Sequence, residues 1–136
     1  MRVTQKKLRQ AIETALLYEG VKPRTVEVSV ALVGDDEMQA LNLEYRKLDK
    51  PTDVLSFSQE SEFIFPGMTS RLLGDIVISV DTAEKQALTA GHSLDVEVCH
   101  LAIHGVLHLL GYDDATTEGY ATMVRKGAEI WGRISG

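Results

Sequence analysis

Ser93-Leu94-Asp95-Val96-Glu97-Val98-Cys99-His100-Leu101-Ala102-Ile103-His104-Gly105-Val106-Leu107-His108-Leu109-Leu110-Gly111-Tyr112-Asp113-Asp114 is the stretch that decides the architecture. Ser93 is a favoured N-cap, and the run that follows predicts one helix through His104 and His108. Val96, Leu101, Ile103, Val106, Leu107 and Leu110 occupy several of its faces, which predicts a central, buried helix rather than a surface one. Gly111 can end it in a left-handed conformation open mainly to glycine, turning the chain so that a following side chain faces back.

Working outward, the flanking segments supply the layers that such a helix needs. Thr4 can cap a first helix with Leu8, Ala11, Ile12, Ala15 and Leu16 on one stripe, ending at Gly20. Val26, Val28, Val30 and Leu32 alternate with Glu27, Ser29 and Ala31, the period of a half-buried strand. Asp35 and Asp36 start a second helix carrying Met38, Leu41, Leu43 and Tyr45. Val54 to Ser58 and Leu72 to Ser79 read as two more strands. Asp81 with Glu84 resembles a capping box for a third helix running to Ala90 and stopped by Gly91. A last helix, from about Thr117 to Arg133, shows Tyr120, Val124, Ala128 and Trp131 on one side. Few strands among several helices predict an α+β fold with helices over a small sheet. Gln59 to Ser70 holds Phe63-Ile64-Phe65-Pro66-Gly67, an apolar loop that reads as a lid or a partner-facing flap.

The 136 residues, 44% hydrophobic and 25% charged, fit one domain over residues 1–136 with a real core. No apolar stretch approaches a membrane span, and no signal-peptide core stands at the N-terminus. The single cysteine, Cys99, excludes an internal disulfide and fits a reducing compartment, so a cytoplasmic location is expected. Within the apolar helix it reads as a small buried side chain rather than a nucleophile. The net charge of −6 argues against indiscriminate nucleic-acid binding, which relies on many Lys and Arg contacts to phosphate. It leaves room for a local basic groove, and Arg46, Lys47 and Lys50 form one cluster to which Arg71 can add. Such clusters are more often solvated surface.

His104 and His108 stand four apart, so on a helix they project from one face and can share one zinc ion at about 2.0–2.1 Å each. Asp113 or Asp114, beyond the glycine stop, offers a third, oxygen ligand. Three protein ligands with the fourth position open describe a catalytic zinc site, whereas a structural one is closed by four. The bland alternatives are histidines in the core with hydrogen-bonded tips, and an Asp114 that caps the helix starting near Thr117. His100 lies one turn before His104, yet a straight helix separates residues 100 and 108 by about 12 Å, which makes His100 structural or supporting.

Longer matches bring a family into view. Asn42-Leu43-Glu44-Tyr45-Arg46-Lys47-Leu48-Asp49-Lys50-Pro51-Thr52-Asp53-Val54-Leu55-Ser56-Phe57, then Leu73-Gly74-Asp75-Ile76-Val77-Ile78-Ser79, Gly91-His92-Ser93 and the His104 block occur in order. On these motifs the chain resembles the bacterial YbeY family of metal-dependent endoribonucleases over nearly its whole length. The resemblance implies a mixed sheet of about four strands with about five helices. It also implies a zinc-dependent, single-strand-specific endoribonuclease acting in 16S rRNA 3′-end maturation and ribosome quality control. Its partners would be single-stranded RNA, ribosomal RNA or the small ribosomal subunit, with no membrane and no DNA. At the position where the family most often carries a histidine as third zinc ligand, this chain has Asp114. Aspartate is itself a zinc ligand, at about 2.0–2.2 Å, so the implied metal set is His104, His108 and Asp114. Other divalent transition ions also suit two imidazoles and a carboxylate.

Zinc peptidases of the HExxH type place a glutamate after the first histidine, and here that residue is Gly105, which weakens a peptidase reading. Phosphoryl transfer asks for a cation against developing negative charge, and the forked guanidinium of Arg46 is the candidate. The resemblance points to the same arginine as functional; the competing reading is an Arg46 salt-bridged to a neighbouring acid. The expected catalytic set is Arg46, His104 and His108, with Arg46, Lys47, Lys50 and Ser56 as substrate contacts. Thr52 and Asp53 either support that set or shape a turn at a strand entry. A ribosome-associated metal-binding protein with little or no nuclease activity is the alternative from another class, and a metallohydrolase of another substrate class is a weaker one.

Overall fold

In the computed structural model, residues 5–59 and 71–135 are described, so the expected Thr4 cap and the apolar stretch of 60–70 lie outside the described residues. Five α-helices and three strands follow in the order α1 (Gln5–Tyr18), β1 (Val26–Val33), α2 (Asp35–Arg46), β2 (Val54–Ser58), β3 (Arg71–Ser79), α3 (Val80–Ala90), α4 (Leu94–Leu109) and α5 (Thr117–Ser135). A single 3₁₀ turn, Pro23–Thr25, leads into β1. The sheet order is β1-β3-β2, with β1 parallel and β2 antiparallel to β3. The fold is thus α+β with a mixed sheet, as expected, and three strands rather than about four stand among the described residues.

Alternation along the strands assigns the two faces. Ile76 and Ile78 of β3, with Val54 of β2 and Val26, Val28 and Val30 of β1, turn towards α4 and join the main core. Val77 and Leu55 turn the other way and pack with Met38 of α2 in a smaller core, flanked by Val33, Leu41 and Phe57. The central α4 buries Val98, Cys99, Leu101, Ala102, Ile103, Gly105, Val106, Leu107 and Leu109 between the sheet and the helices α1, α3 and α5. Gly105 permits this closeness: a Cβ there would stand 2.8 Å from the Ile76 Cγ2. Cys99 is 2% exposed, and burial, reinforced by the charge of Asp95, pushes its thiol up to about 11, which suits a packing residue and not a nucleophile.

Three local readings of the sequence are corrected by tertiary contacts. The cap of α3 is Ser79, whose Oγ accepts from the Thr82 N–H, because β3 runs straight into the helix; Asp81 instead accepts from the Asp35 N–H at 2.9 Å. On α5 the fully buried residues are Met123 and Ile130, one position off the expected stripe, while Tyr120 and Val124 are exposed. On α2 the inward face is Met38 and Asn42, with Leu43 and Tyr45 exposed. No described helix is long and apolar enough to cross a membrane.

Candidate metal and phosphodiester site

The C-terminal turn of α4 is finished as the sequence requires. Gly111 adopts φ +104°, its N–H meets the His108 carbonyl at 3.0 Å, and the Tyr112 N–H meets the Leu107 carbonyl at 3.0 Å. This is a Schellman ending, and it reverses the chain immediately beyond the second histidine. Two further contacts fix the returning loop. Asp113 Oδ1 accepts from the Ala115 N–H at 2.9 Å, and Thr116 Oγ1 accepts from the Gly119 N–H at 2.9 Å, making Thr116 the cap of α5. Gly119 is needed there, since a Cβ would fall 2.0 Å from the Asp113 carbonyl oxygen. Asp113 and Thr116 therefore take the local duties, and no capping bond falls to Asp114.

Asp114 turns its carboxylate onto the two rings. His104 Nε2 and His108 Nε2 are 3.1 Å apart, and Asp114 Oδ2 lies 3.4 Å from the first and 3.5 Å from the second. Ligand atoms held at about 2.0–2.1 Å around a tetrahedral ion stand about 3.3 Å from one another, so this triangle has the size a zinc-like ion needs. Among the described residues it is the one such convergence of three His, Cys, Asp or Glu side chains. Burial, then the neighbouring His108, hold His104 below the ordinary imidazole range, with Asp114 and Asp53 opposing. Its ring is therefore neutral at neutral pH, and its lone pair is available for ligation.

The triangle opens into a cleft of about 480 Å³ lined by Arg46, residues 52–56 and Ser58, together with Leu109, His104, His108 and Asp114. Arg46 is the last residue of α2, because Lys47 takes the left-handed conformation at φ +62° and closes the helix through its N–H to Leu43. A lysine at that position gives no sequence signal for the stop. Asn42, fully buried, donates from Nδ2 to the Lys50 carbonyl at 2.8 Å and holds the following loop against α2. Arg46 is exposed and has no ion pair among the described residues, so the salt-bridged reading finds no support there. Lys47 turns its ammonium to the Glu44 carbonyl at 3.1 Å, and neither Lys47 nor Lys50 lines the cleft. Ser56 lines it, but its hydroxyl donates to the Gly105 carbonyl at 3.2 Å and so ties β2 to the turn between the histidines. Asp53 Oδ1 accepts from the Val54 N–H and Oδ2 from the Gln86 amide, shaping the entry to β2.

A larger groove of about 980 Å³ runs between α1 and β1, over Leu8, Ile12, Leu16 and Val28. Among the described residues the convergent His104, His108 and Asp114 set lies in the smaller cleft and not in this groove. His100 stands apart from that cleft, its ring 4.8 Å from that of Trp131 and 5.5 Å from that of His92.

The family model described as Endoribonuclease YbeY matches residues 1–135. The chain is 46% identical over 129 residues to the Endoribonuclease YbeY of Pelotomaculum thermopropionicum, covering 94% of this chain and 84% of that one. It is 49% identical over 112 residues to the Endoribonuclease YbeY of Aquifex aeolicus, covering 82% and 71%. Among solved structures, the solution structure of TM1509 from Thermotoga maritima aligns with a TM-score of 0.56 at 28% identity, covering 94% of this chain and 81% of that one.

Proposed function

The chain belongs to the YbeY endoribonuclease family, hence to the hydrolases of RNA phosphodiester bonds, and we propose that it cuts single-stranded RNA at the His104–His108–Asp114 centre. The observation that carries this reading is the convergence of three candidate ligand atoms in a cleft that Arg46, without an ion pair among the described residues, also lines. In this reading zinc is the first choice of ion and His104, His108 and Asp114 are its ligands. An ion bound there supplies Lewis acidity towards a phosphodiester oxygen and makes a water more acidic.

The chain's own groups do the rest. The neutral ring of His104 and the carboxylate of Asp114 hold two corners of the centre, and His108 holds the third. Ser56, through the Gly105 carbonyl, keeps the helical turn between the two histidines against β2. Arg46 binds a non-bridging phosphate oxygen pair with its planar fork and opposes the negative charge carried by those oxygens in the transition state. The position after His104 is Gly105, packed on Ile76, so the glutamate base of HExxH peptidases has no counterpart there. The histidines are only 28–29% exposed, and a strand must bend a phosphate into the cleft to reach them. Single-stranded RNA bends more readily than a duplex, which favours unpaired segments as substrate. Ribosomal RNA of the small subunit, processed at the 16S 3′ end in the cytoplasm, is the natural substrate this family membership supports best.

The test is cleavage of a labelled single-stranded RNA by protein reconstituted with zinc, beside an RNA duplex of the same sequence. Cutting of the single strand, lost on chelation and in His108→Ala, is the expected result. Equal cutting by the chelated protein, or by His108→Ala, would remove the metal centre from the reaction.

A further inference from the structure

Tyr112 lies between the second proposed ligand and the third, and its side chain does not enter the cleft. Its hydroxyl donates to Glu19 Oε1 at 2.5 Å, across 93 residues of sequence. Glu19 is the residue that follows α1, and its other oxygen, Oε2, lies 3.1 Å from Lys126 Nζ on α5. The Lys126 ammonium also stands 5.0 Å from the centre of the Tyr112 ring and 5.5 Å from that of Tyr18. The side chains of Glu19 and Lys126 are only 12% and 20% exposed. Glu19 at the end of α1 and Lys126 on α5 thus grip one tyrosine from the seven-residue loop between α4 and α5, by charge-assisted contacts largely sheltered from water.

We propose that Tyr112, Glu19 and Lys126 form a positioning clamp that sets where Asp114 stands, and thereby sets metal affinity. The inference rests on the metal centre proposed above. An aspartate has a shorter reach than an imidazole, so its backbone must be placed more closely for the carboxylate to meet the ion. Ligand distances tolerate about 0.2 Å, a margin that a loop held only by its own turns does not guarantee. The Schellman ending holds the backbone through the Tyr112 N–H and the Thr116 cap fixes it at α5, leaving Asp113 and Asp114 between them. The clamp adds a side-chain anchor at the edge of that gap, two residues before Asp114. It also explains why a partly buried ion pair joins the end of α1 to the middle of α5 beside a catalytic loop.

Zinc alone is the probe, measured by competition with a chromophoric chelator on full-length protein, with the melting temperature of the metal-free form read in parallel. Tyr112→Phe keeps the ring over Lys126 and removes only the hydroxyl. It should weaken zinc binding roughly tenfold, the lower end of what is lost when a supporting partner of a metal ligand is removed. Glu19→Gln still accepts from the tyrosine while losing the ion pair, and should weaken binding by less. In an Asp114→Ala background the Tyr112→Phe change should alter zinc affinity by no more than roughly twofold, since the group it positions has gone. Unchanged zinc affinity in both single variants, with only the melting temperature lowered, would make the trio a strut of the fold and overturn the proposal. So would an undiminished effect in the Asp114→Ala background, which would route it through the histidines. A parent protein that holds no zinc would bring down the metal centre and the clamp together, whereas a zinc-binding parent with indifferent variants removes the clamp alone.

Discussion

His92 and His100 around the first half of α4, and His104 and His108 at its end, are two imidazole pairs, each with a carboxylate close by. In the first, Glu97 Oε1 is 2.6 Å from His92 Nε2, so the carboxylate already serves one ring, and the rings of His92 and His100 stack at 27°. Stacked rings send their nitrogens outward in parallel, and Trp131 lies against His100 at 4.8 Å. In the second, the rings meet edge to face at 77°, both Nε2 atoms point to one spot, and Asp114 Oδ2 is nearly equidistant from them. Both sets combine two imidazoles with one carboxylate. Convergence of lone pairs separates a candidate metal centre from a packed, hydrogen-bonded cluster, and the backbone direction after Gly111 supplies it.

The largest effect that can break this contrast is on metal content. His108→Ala should abolish retention of the near-single equivalent of ion expected in the parent, because two ligand atoms remain and one helical turn is emptied. His100→Ala should keep that equivalent and cost stability on the order of 1 kcal/mol through lost packing on Trp131. Elemental analysis and thermal melts of both variants measure the pair. Metal lost equally from both would mean that the two regions are not distinct.

Arg46 sharpens the same contrast, since the first pair has Trp131 against His100 and the second lines a cleft together with this arginine. Arg46→Ala should leave metal content and fold intact and lower single-turnover cleavage of single-stranded RNA roughly a hundred- to a thousandfold. That corresponds to about 2.7–4 kcal/mol, as when one donor to a charge developing in the transition state is removed. Arg46→Lys should restore only part, because an ammonium lacks the fork. Equal rates at equal metal occupancy would return Arg46 to the surface.

What could be read in the chain beforehand, and what could not, follows from the range of the interactions involved. The helix of His104 and His108, its Ser93 cap and its Gly111 stop all depend on neighbours within four or five residues, so spacing and residue type reveal them. The strands show for a similar reason, through alternation of apolar residues. The Ser79 cap and the inward face of α5 depend on where distant elements arrive, while the Thr116 cap had Asp114 as a local rival and the left-handed Lys47 carries no residue signal, so local pattern misassigned them or left them unmarked. Asp114 shows the boundary well. Sequence alone left it between a cap and a ligand; the cap falls to Thr116, because the missing side chain of Gly119 lets the Asp113 carbonyl come close, and the carboxylate of Asp114 is left facing the two rings.

Gly119→Ala should therefore act on the second histidine pair alone. The added methyl cannot coexist with the Asp113 carbonyl, so the loop must shift, at a cost of about 1–3 kcal/mol in stability for an overpacked contact. Zinc affinity should fall by roughly tenfold, comparable with loss of a supporting contact to a ligand. The His92–Glu97 bond, reported by the imidazole resonances of His92, should not move. Unaltered zinc affinity with lowered stability would show that the loop delivers Asp114 regardless of the cap.

The smallest effect belongs to the first pair and concerns protons rather than metal. Burial, more than the nearby His92, holds His100 below the ordinary imidazole value of 6.5, while Glu97 pulls the other way. The unfolded chain therefore accepts a proton on this ring at higher pH than the folded chain does. Above 6.5 the ring is neutral in both states and its contribution to stability is complete. As pH falls through 6.5 the unfolded state gains the proton first, and stability declines until the folded ring also titrates, after which this residue adds no further slope. In metal-free protein His104 is depressed by burial in the same direction, so the comparison has to be differential. Denaturant unfolding of parent and His100→Gln between pH 7.5 and 5, with the chelator present, isolates the ring. The variant should be less stable overall and show a shallower decline on acidification, with the slope due to His104 common to both proteins. Parallel curves would mean that His100 is solvated enough to titrate as it does in the unfolded chain. The stack between His92 and Trp131 would then hold a ring that is free to charge, and the contrast between the two pairs would rest on ring geometry alone.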